Sequence, residues 1–404
     1  MFKNNNEFVG ARRAVPLRSN NLEINIFLLT NMIVKRIFYG MINFYCIIKK
    51  GSNMKIGIIG LERSGKTTVF NALTGSAQQV GTFGKIEAHI SVVKVPDERI
   101  DFLSGLYNPK KTVYTNIEFV DIPGSINDSS DPKTIAVARE CEAFAFTIRA
   151  FNNPNVDHPL GDIDPRRDFD QIKTGLIIAD MIVAEKRIEK LMKSSGKSSE
   201  TQDEKLELSV LEKIYKTLED GKYASTLKLD HPEEKAVRSF QFLTLKPYLC
   251  LLNISDDELN SDKTNQTLSE IPDSMPICAN IEMEIRGLEE NDRKEFLDDM
   301  GIKELSLNSF IKKAYQTLGL ISFFTVGEDE VRAWTITKDL PAVNAAGKIH
   351  SDLERGFIRA EVFSFSNIKS LGGEKEIKAA GKFRLEGKDY IVQDGDIVCI
   401  KFSV

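Results

Sequence analysis

The sequence predicts an α/β protein: a doubly wound, mainly parallel sheet, interrupted by an antiparallel helical hairpin and followed by a small α+β unit. Three observations carry this. Apolar runs of strand length alternate with helix-like segments, a long insertion between two of those runs keeps helical spacing, and the texture turns to short β-like runs after about Leu320.

The first element is the apolar run 55–59, followed by a glycine-bearing loop and the helix-like segment 67–73, a strand, loop and helix in succession. Residues 116–121 form a second run that ends in a carboxylate, and 143–148 a third, apolar throughout and flanked by charge, as buried parallel strands are. A fourth, 248–252, ends in Asn253, and a fifth surrounds 276–279. Between the third and fourth, Ile172, Leu176, Ala179 and Val183 recur at helical spacing, and Leu208, Leu211, Tyr215 and Leu218 do so again. The polar stretch 194–203 separates the two, which reads as a hairpin with a solvated tip. After Leu320 the runs 331–336, 357–363 and 390–392, punctuated by glycine-containing turns, read as strands of a separate α+β unit.

Composition is that of a globular protein, 42% hydrophobic and 28% charged. The five cysteines are far apart, with no CxxC pair and no histidine at metal-ligand spacing, so a reducing compartment and a cytoplasmic location are the simple reading. Residues 1–53 carry eight Lys/Arg against two Glu, so the net charge of -5 conceals an acidic body that does not attract nucleic acid as a whole. Their apolar run is interrupted by Lys35 and Arg36, which argues against a membrane span, and it lacks a signal-peptide cleavage pattern. The globular pattern begins at Met54, so residues 1–53 read as a disordered extension or an upstream start.

Gly60-Leu-Glu-Arg-Ser-Gly65-Lys66-Thr67 fits GxxxxGK[ST], with a strand before it and a helix after it. The glycines let main-chain N–H groups turn around phosphate oxygens, Lys66 brings a charge to the β and γ phosphates, and Thr67 offers a hydroxyl to Mg²⁺. Gly60, Arg63, Ser64, Gly65, Lys66, Thr67 and Thr68 are therefore the expected phosphate site. Asp121-Ile-Pro-Gly124 ends the next foreseen strand, where Asp121 is placed to serve Mg²⁺ and the Gly124 N–H to sense the γ-phosphate. Asn253-Ile254-Ser255-Asp256 stands where GTPases carry Asn-Lys-x-Asp, without the lysine. An Asp256 carboxylate suits the guanine N1–H and N2–H donors, so the tetrapeptide leaves ATP against GTP open.

Around these motifs the chain resembles the YchF group of Obg-like ATPases. The likeness begins with Met54-Lys-Ile-Gly-Ile-Ile-Gly-Leu-Glu-Arg-Ser-Gly-Lys-Thr-Thr-Val-Phe-Asn-Ala-Leu-Thr74 and continues through Glu118-Phe-Val-Asp-Ile122 and Ser239-Phe-Gln-Phe-Leu-Thr-Leu-Lys-Pro247. It is strongest in Glu330-Val-Arg-Ala-Trp-Thr-Ile336, Ala346-Gly-Lys-Ile-His350, Glu354-Arg-Gly-Phe-Ile-Arg359 and Gly387-Lys-Asp-Tyr-Ile-Val392, which are similar to the family's C-terminal TGS domain. The resemblance implies a P-loop G domain over 54–165 and 228–315, a helical hairpin over 166–227 and a TGS domain over 320–404. It also implies an ATPase of weak intrinsic activity that needs Mg²⁺, prefers ATP to GTP and associates with ribosomes according to its nucleotide, with neither membrane nor DNA among its partners.

The family places an assisting histidine in a later loop, and His158, in Asn152-Asn-Pro-Asn-Val-Asp-His-Pro-Leu-Gly161, holds that position here. With Lys66 it is the expected catalytic pair, its imidazole aligning water or meeting developing negative charge. Where the family has a hydrophobic residue after DxxG this chain has Ser125, and Lys85 stands in place of a Mg²⁺-binding switch threonine. Glu62 and Arg63 replace the family's Pro and Asn, Asp256 replaces a Glu, and the stretch 125–136 is shortened. These departures describe a divergent paralogue and keep open a nucleotide-binding adaptor with little hydrolysis, or a GTPase. Lys186, Arg187, Lys190, Lys193 and Lys197 form a basic cluster near the hairpin tip, diluted by Glu185 and Glu189, which suits either RNA phosphates or a solvated helix face.

Overall fold

A computed structural model of the chain describes residues 54–76, 88–124, 132–194, 201–258, 261–299 and 304–403. The expectations for residues 1–53, Lys85, Ser125 and Lys197 lie outside the described residues.

The first strand, β1 (Met54–Ile59), leads through the glycine loop into α1 (Lys66–Thr74). Next come β2 (His89–Lys94), α2 (Glu98–Tyr107), β3 (Lys111–Val113), β4 (Asn116–Asp121), α3 (Pro132–Glu140) and β5 (Ala143–Arg149). The insertion is α4 (Pro165–Ser194) and α5 (Gln202–Glu219), after which β6 (Tyr248–Asn253) and β7 (Ser274–Ile277) complete a sheet of order β2-β4-β1-β5-β6-β7. Every pairing in it is parallel except that of the edge strand β2 with β4.

Period-two alternation decides which face each side chain covers. Along β5, Phe144, Phe146 and Ile148 enter one core while Ala143 and Ala145 enter the other. The first core receives Phe169, Ile172 and Leu176 from α4, with Val210, Leu211, Ile214 and Leu218 from α5; the second is covered by α1 and by the helix Ser306–Thr317. At Gly57 in β1 an added Cβ would lie 2.6 Å from the Ile122 side chain, which packs directly over the strand's backbone there.

The insertion forms the expected helical pair. Ile172, Leu176, Ala179, Leu211 and Leu218 are buried, Val183, Leu208 and Tyr215 pack against them, and Arg187 Nη2 donates to Glu207 Oε2 across the pair at 3.0 Å. A capping box, Thr201 with Glu204, starts α5. That pairing, with Lys193 beside Glu189 at 3.3 Å, neutralises part of the basic cluster. No helix among the described residues is long and apolar enough to cross a membrane.

The C-terminal part contributes β8 (Leu320–Thr325), β9 (Glu330–Thr337), β10 (Phe357–Ser364), β11 (Arg384–Glu386) and β12 (Asp396–Phe402) to a second sheet of order β11-β10-β12-β8-β9-β3. Two expectations are corrected here. Residues 390–392 are no strand, because Ile391 makes a single bridge to Pro341 while the Tyr390 hydroxyl turns away to Asp396 Oδ2 at 2.7 Å. Nor does this sheet stand apart: β3 pairs with β9 in parallel, and Ile100 and Leu103 of α2 share a core with Phe324, Val331 and Ile397. Arg99 fastens the junction, donating to Asp394 Oδ2 at 2.8 Å.

Candidate nucleotide site

β1 lies between the parallel strands β4 and β5, so the loop after it opens at the carboxyl end of the sheet's centre, where open α/β sheets hold their ligands. Residues 60–65 wrap into the start of α1. A Cβ at Gly60 would meet the Thr147 carbonyl at 2.4 Å, and one at Gly65 the Asn253 Nδ2 at 2.3 Å. Gly65 has φ +92 and Arg63 φ +61, both left-handed, the kind of backbone turn that builds anion-binding loops. Among the described residues no side chain caps α1, and the buried Ser64 hydroxyl has no hydrogen-bond partner. A phosphate oxygen would satisfy such groups.

Lys66 curls back over the loop, its Nζ donating to the carbonyls of Gly60 and Leu61, both at 3.0 Å. Burial lowers its pKa to about 8, against the raising influence of Asp121 and Glu62. Thr67 Oγ1 donates to Asp121 Oδ2 at 2.9 Å. Burial raises the Asp121 pKa, while the Thr67 hydrogen bond and the Lys66 and His89 charges work the other way. Two oxygens of types that bind magnesium therefore face each other beside the loop. Among the described residues no group of three or more His, Cys, Asp or Glu is arranged to hold a metal ion, so any cation held here completes its shell with water and ligand oxygens.

Gly124, at φ +75, follows Asp121, and the turn is tied to α3 by Thr134 Oγ1, which donates to the Pro123 carbonyl at 3.0 Å. Asn253 closes the far side. Its Nδ2 donates to the Ser64 carbonyl at 3.1 Å, and its Oδ1 accepts from the Ala279 N–H at 3.3 Å, joining the loop to the ends of β6 and β7. Ile254 is buried and continues the ladder, while Asp256 is exposed in a short turn, Asp256–Glu258, at the rim. Thr68 is half-buried in the first turn of α1.

His158 is buried rather than solvated, and both ring nitrogens are engaged inside the protein. The Leu160 N–H donates to Nδ1 at 3.1 Å, which makes Nε2 the protonated nitrogen; it donates to Asp168 Oδ2 at 2.8 Å. Arg167 holds the other Asp168 oxygen at 2.9 Å. Sequence reasoning placed the histidine in the right loop but missed Asp168, its partner in the first turn of α4. It also missed Arg149, fully buried at the end of β5, whose only signal was a charge closing an apolar run.

Comparison with known proteins bears on the family. The family described as "50S ribosome-binding GTPase" matches residues 55–165, and YchF-GTPase_C, described as "Protein of unknown function (DUF933)", matches residues 320–403. The "Ribosome-binding ATPase YchF" of Haemophilus ducreyi is 40% identical over 362 residues, covering 87% of this chain and 99% of that protein. The protein of the same name from Bacillus subtilis is 39% identical over 363 residues, covering 86% and 99%. Among solved structures, the Schizosaccharomyces pombe YchF GTPase superposes with a TM-score of 0.76 at 30% identity, over 87% of this chain and 99% of that one. With a phosphate loop, a facing threonine–aspartate pair and relatives aligned over almost their full length, the chain belongs to the YchF family.

Proposed function

We propose that this chain is a nucleoside triphosphatase that binds ATP with Mg²⁺, hydrolyses it slowly, and associates with ribosomes according to the nucleotide it holds. The observation that carries the reading is the convergence, around one loop, of uncapped amides, the orphaned Ser64 hydroxyl, the Lys66 ammonium and the Thr67–Asp121 oxygens. The relatives' printed names, ribosome-binding ATPase, support the partner and the substrate class.

Each part has a task in phosphoryl transfer, where positioning and charge stabilisation do nearly all the work. Main-chain N–H groups of residues 60–67 receive the phosphate oxygens. Lys66 exchanges two neutral carbonyls for the β and γ phosphates, which restores its full positive charge. Thr67 and Asp121 would hold Mg²⁺, which would supply neutralisation of phosphate charge. Asn253 keeps the loop in register and Gly124 offers its N–H toward the γ-phosphate. For His158 to align water it must give up its Leu160 contact, so slow turnover is the expected consequence. That same engagement favours a second reading, a nucleotide-binding adaptor with little hydrolysis. Asp256 at the rim keeps GTP as a further alternative.

Single-turnover hydrolysis of ATP separates the first two. Phosphate release by the intact chain, slowed by His158→Ala, supports the enzyme; full binding with no release supports the adaptor. ATP and GTP dissociation constants, measured with Asp256→Glu alongside, decide the base.

A further inference from the structure

The segment 150–164 leaves β5 beside the phosphate loop, and its structure is more determined than a connecting loop needs. The N–H groups of Ala150 and Phe151 donate to the Asn253 carbonyl at 2.8 and 3.0 Å. The Val156 N–H closes a turn on Asn153 at 3.1 Å, and the Gly161 N–H closes another on His158 at 3.0 Å. Between those turns stand the carbonyls of Val156 and Asp157, and two arginines meet there.

Arg149, 2% exposed, makes no ion pair with a carboxylate among the described residues. It stacks on the Phe151 ring with 4.5 Å between its Cζ and the ring centroid, and donates to the carbonyls of Val156 at 2.7 Å, Phe151 at 3.3 Å and Asp157 at 3.4 Å. Arg63 approaches from the phosphate loop and donates to the same Asp157 carbonyl at 3.2 Å. Burying a guanidinium to satisfy only main-chain oxygens is costly, and holding a long side chain at φ +61 adds backbone strain. Such costs persist where the surroundings fix the geometry, and they gather at functional sites. The next residue after Asp157 is His158.

We propose that Arg63 and Arg149 are positioning residues: together they clamp the Val156–Asp157 carbonyls and so set the place of the His158 ring against the phosphate loop. The proposal rests on the nucleotide-hydrolysing reading above. It also gives a purpose to an arginine in a loop position where asparagine, which tolerates the left-handed conformation, is sterically easier.

The test uses the full chain with ¹⁵N-labelled histidine, whose four histidines give few enough signals to assign His158 by its alanine variant. Arg63→Asn removes the reach to Asp157 while suiting the backbone; Arg63→Lys keeps one donor. In Arg63→Asn the His158 ring signals shift, ATP affinity stays within about threefold, and the single-turnover rate at saturating ATP falls on the order of tenfold or more, as a misplaced reacting group predicts. Arg63→Lys recovers most of the signal position and rate. Arg149→Lys, which leaves carbonyls without donors, moves the same signals further. Unmoved His158 signals in Arg63→Asn overturn the proposal, as does a weakened affinity with an unchanged saturated rate, which makes Arg63 a phosphate contact only. Moved signals in a chain that binds ATP but never hydrolyses it uphold the clamp and sink only the hydrolytic reading.

Discussion

Raising the pH should weaken nucleotide binding through Lys66, by an amount the structure sets. In the free protein its ammonium is buried against two neutral carbonyls, and that burial brings its pKa down to about 8. A bound triphosphate surrounds the same nitrogen with anionic oxygens and drives the pKa back above its free value. Protonation and binding are therefore linked. Below pH 8 the lysine is already charged and affinity is flat; above it, binding must take up a proton, and the dissociation constant rises about tenfold per pH unit until the bound-state pKa is reached. Between pH 7 and 9.5 this amounts to about 30-fold, or about 2 kcal/mol. Fluorescent-nucleotide titrations across that range measure it, and calorimetry in buffers of different ionisation enthalpy counts the proton. Affinity that stays level from pH 7 to 9.5, with no proton uptake, would refute the assignment of Lys66 to the phosphates.

Three more outcomes follow from the same geometry. Gly65→Ala places a Cβ against Asn253 at a left-handed backbone position, so ATP affinity falls by about 100-fold or more, about 3 kcal/mol, by titration, while far-UV circular dichroism is retained. Asp121→Asn removes one of two magnesium-suited oxygens, so the gain in affinity on adding Mg²⁺ shrinks while metal-free affinity is kept. Asp180 of α4 is fully buried, accepts from the Thr244 N–H at 2.7 Å and its hydroxyl at 2.8 Å, and pairs with Arg139 of α3 at 3.1 Å. Asp180→Ala leaves both Thr244 donors without their acceptor and Arg139 without its carboxylate, and thermal unfolding should show a loss on the order of 3–5 kcal/mol.

Much of the site was legible because its chemistry is local. A strand, a GxxxxGK[ST] loop and a helix follow one another between Met54 and Thr74, and the apolar runs that become β1, β4, β5 and β6 are buried on both faces, which leaves a strong signal. What escaped reading depends on distant partners. The edge strand β2 leaves Ile90 and Val92 exposed, more than half their surface in each case, so its pattern is not that of a core strand. The three residues of β3 gain their identity only from Glu330–Arg332, some two hundred residues on. His158 stood out by its motif, yet its burial is set by Asp168 and Leu160, and nothing in a histidine's neighbours announces which nitrogen will be occupied. Arg149 shows the converse: a charge at the end of an apolar strand reads as a solvated boundary until the chain folds back over it.

Equilibrium binding of ATP and GTP to well-folded protein, with and without Mg²⁺, probes the central claim most directly. The account predicts a saturable site for a purine triphosphate that Mg²⁺ tightens and that Lys66→Ala weakens by orders of magnitude. No binding of either nucleotide at millimolar concentration, or an affinity indifferent to Lys66→Ala, would contradict it.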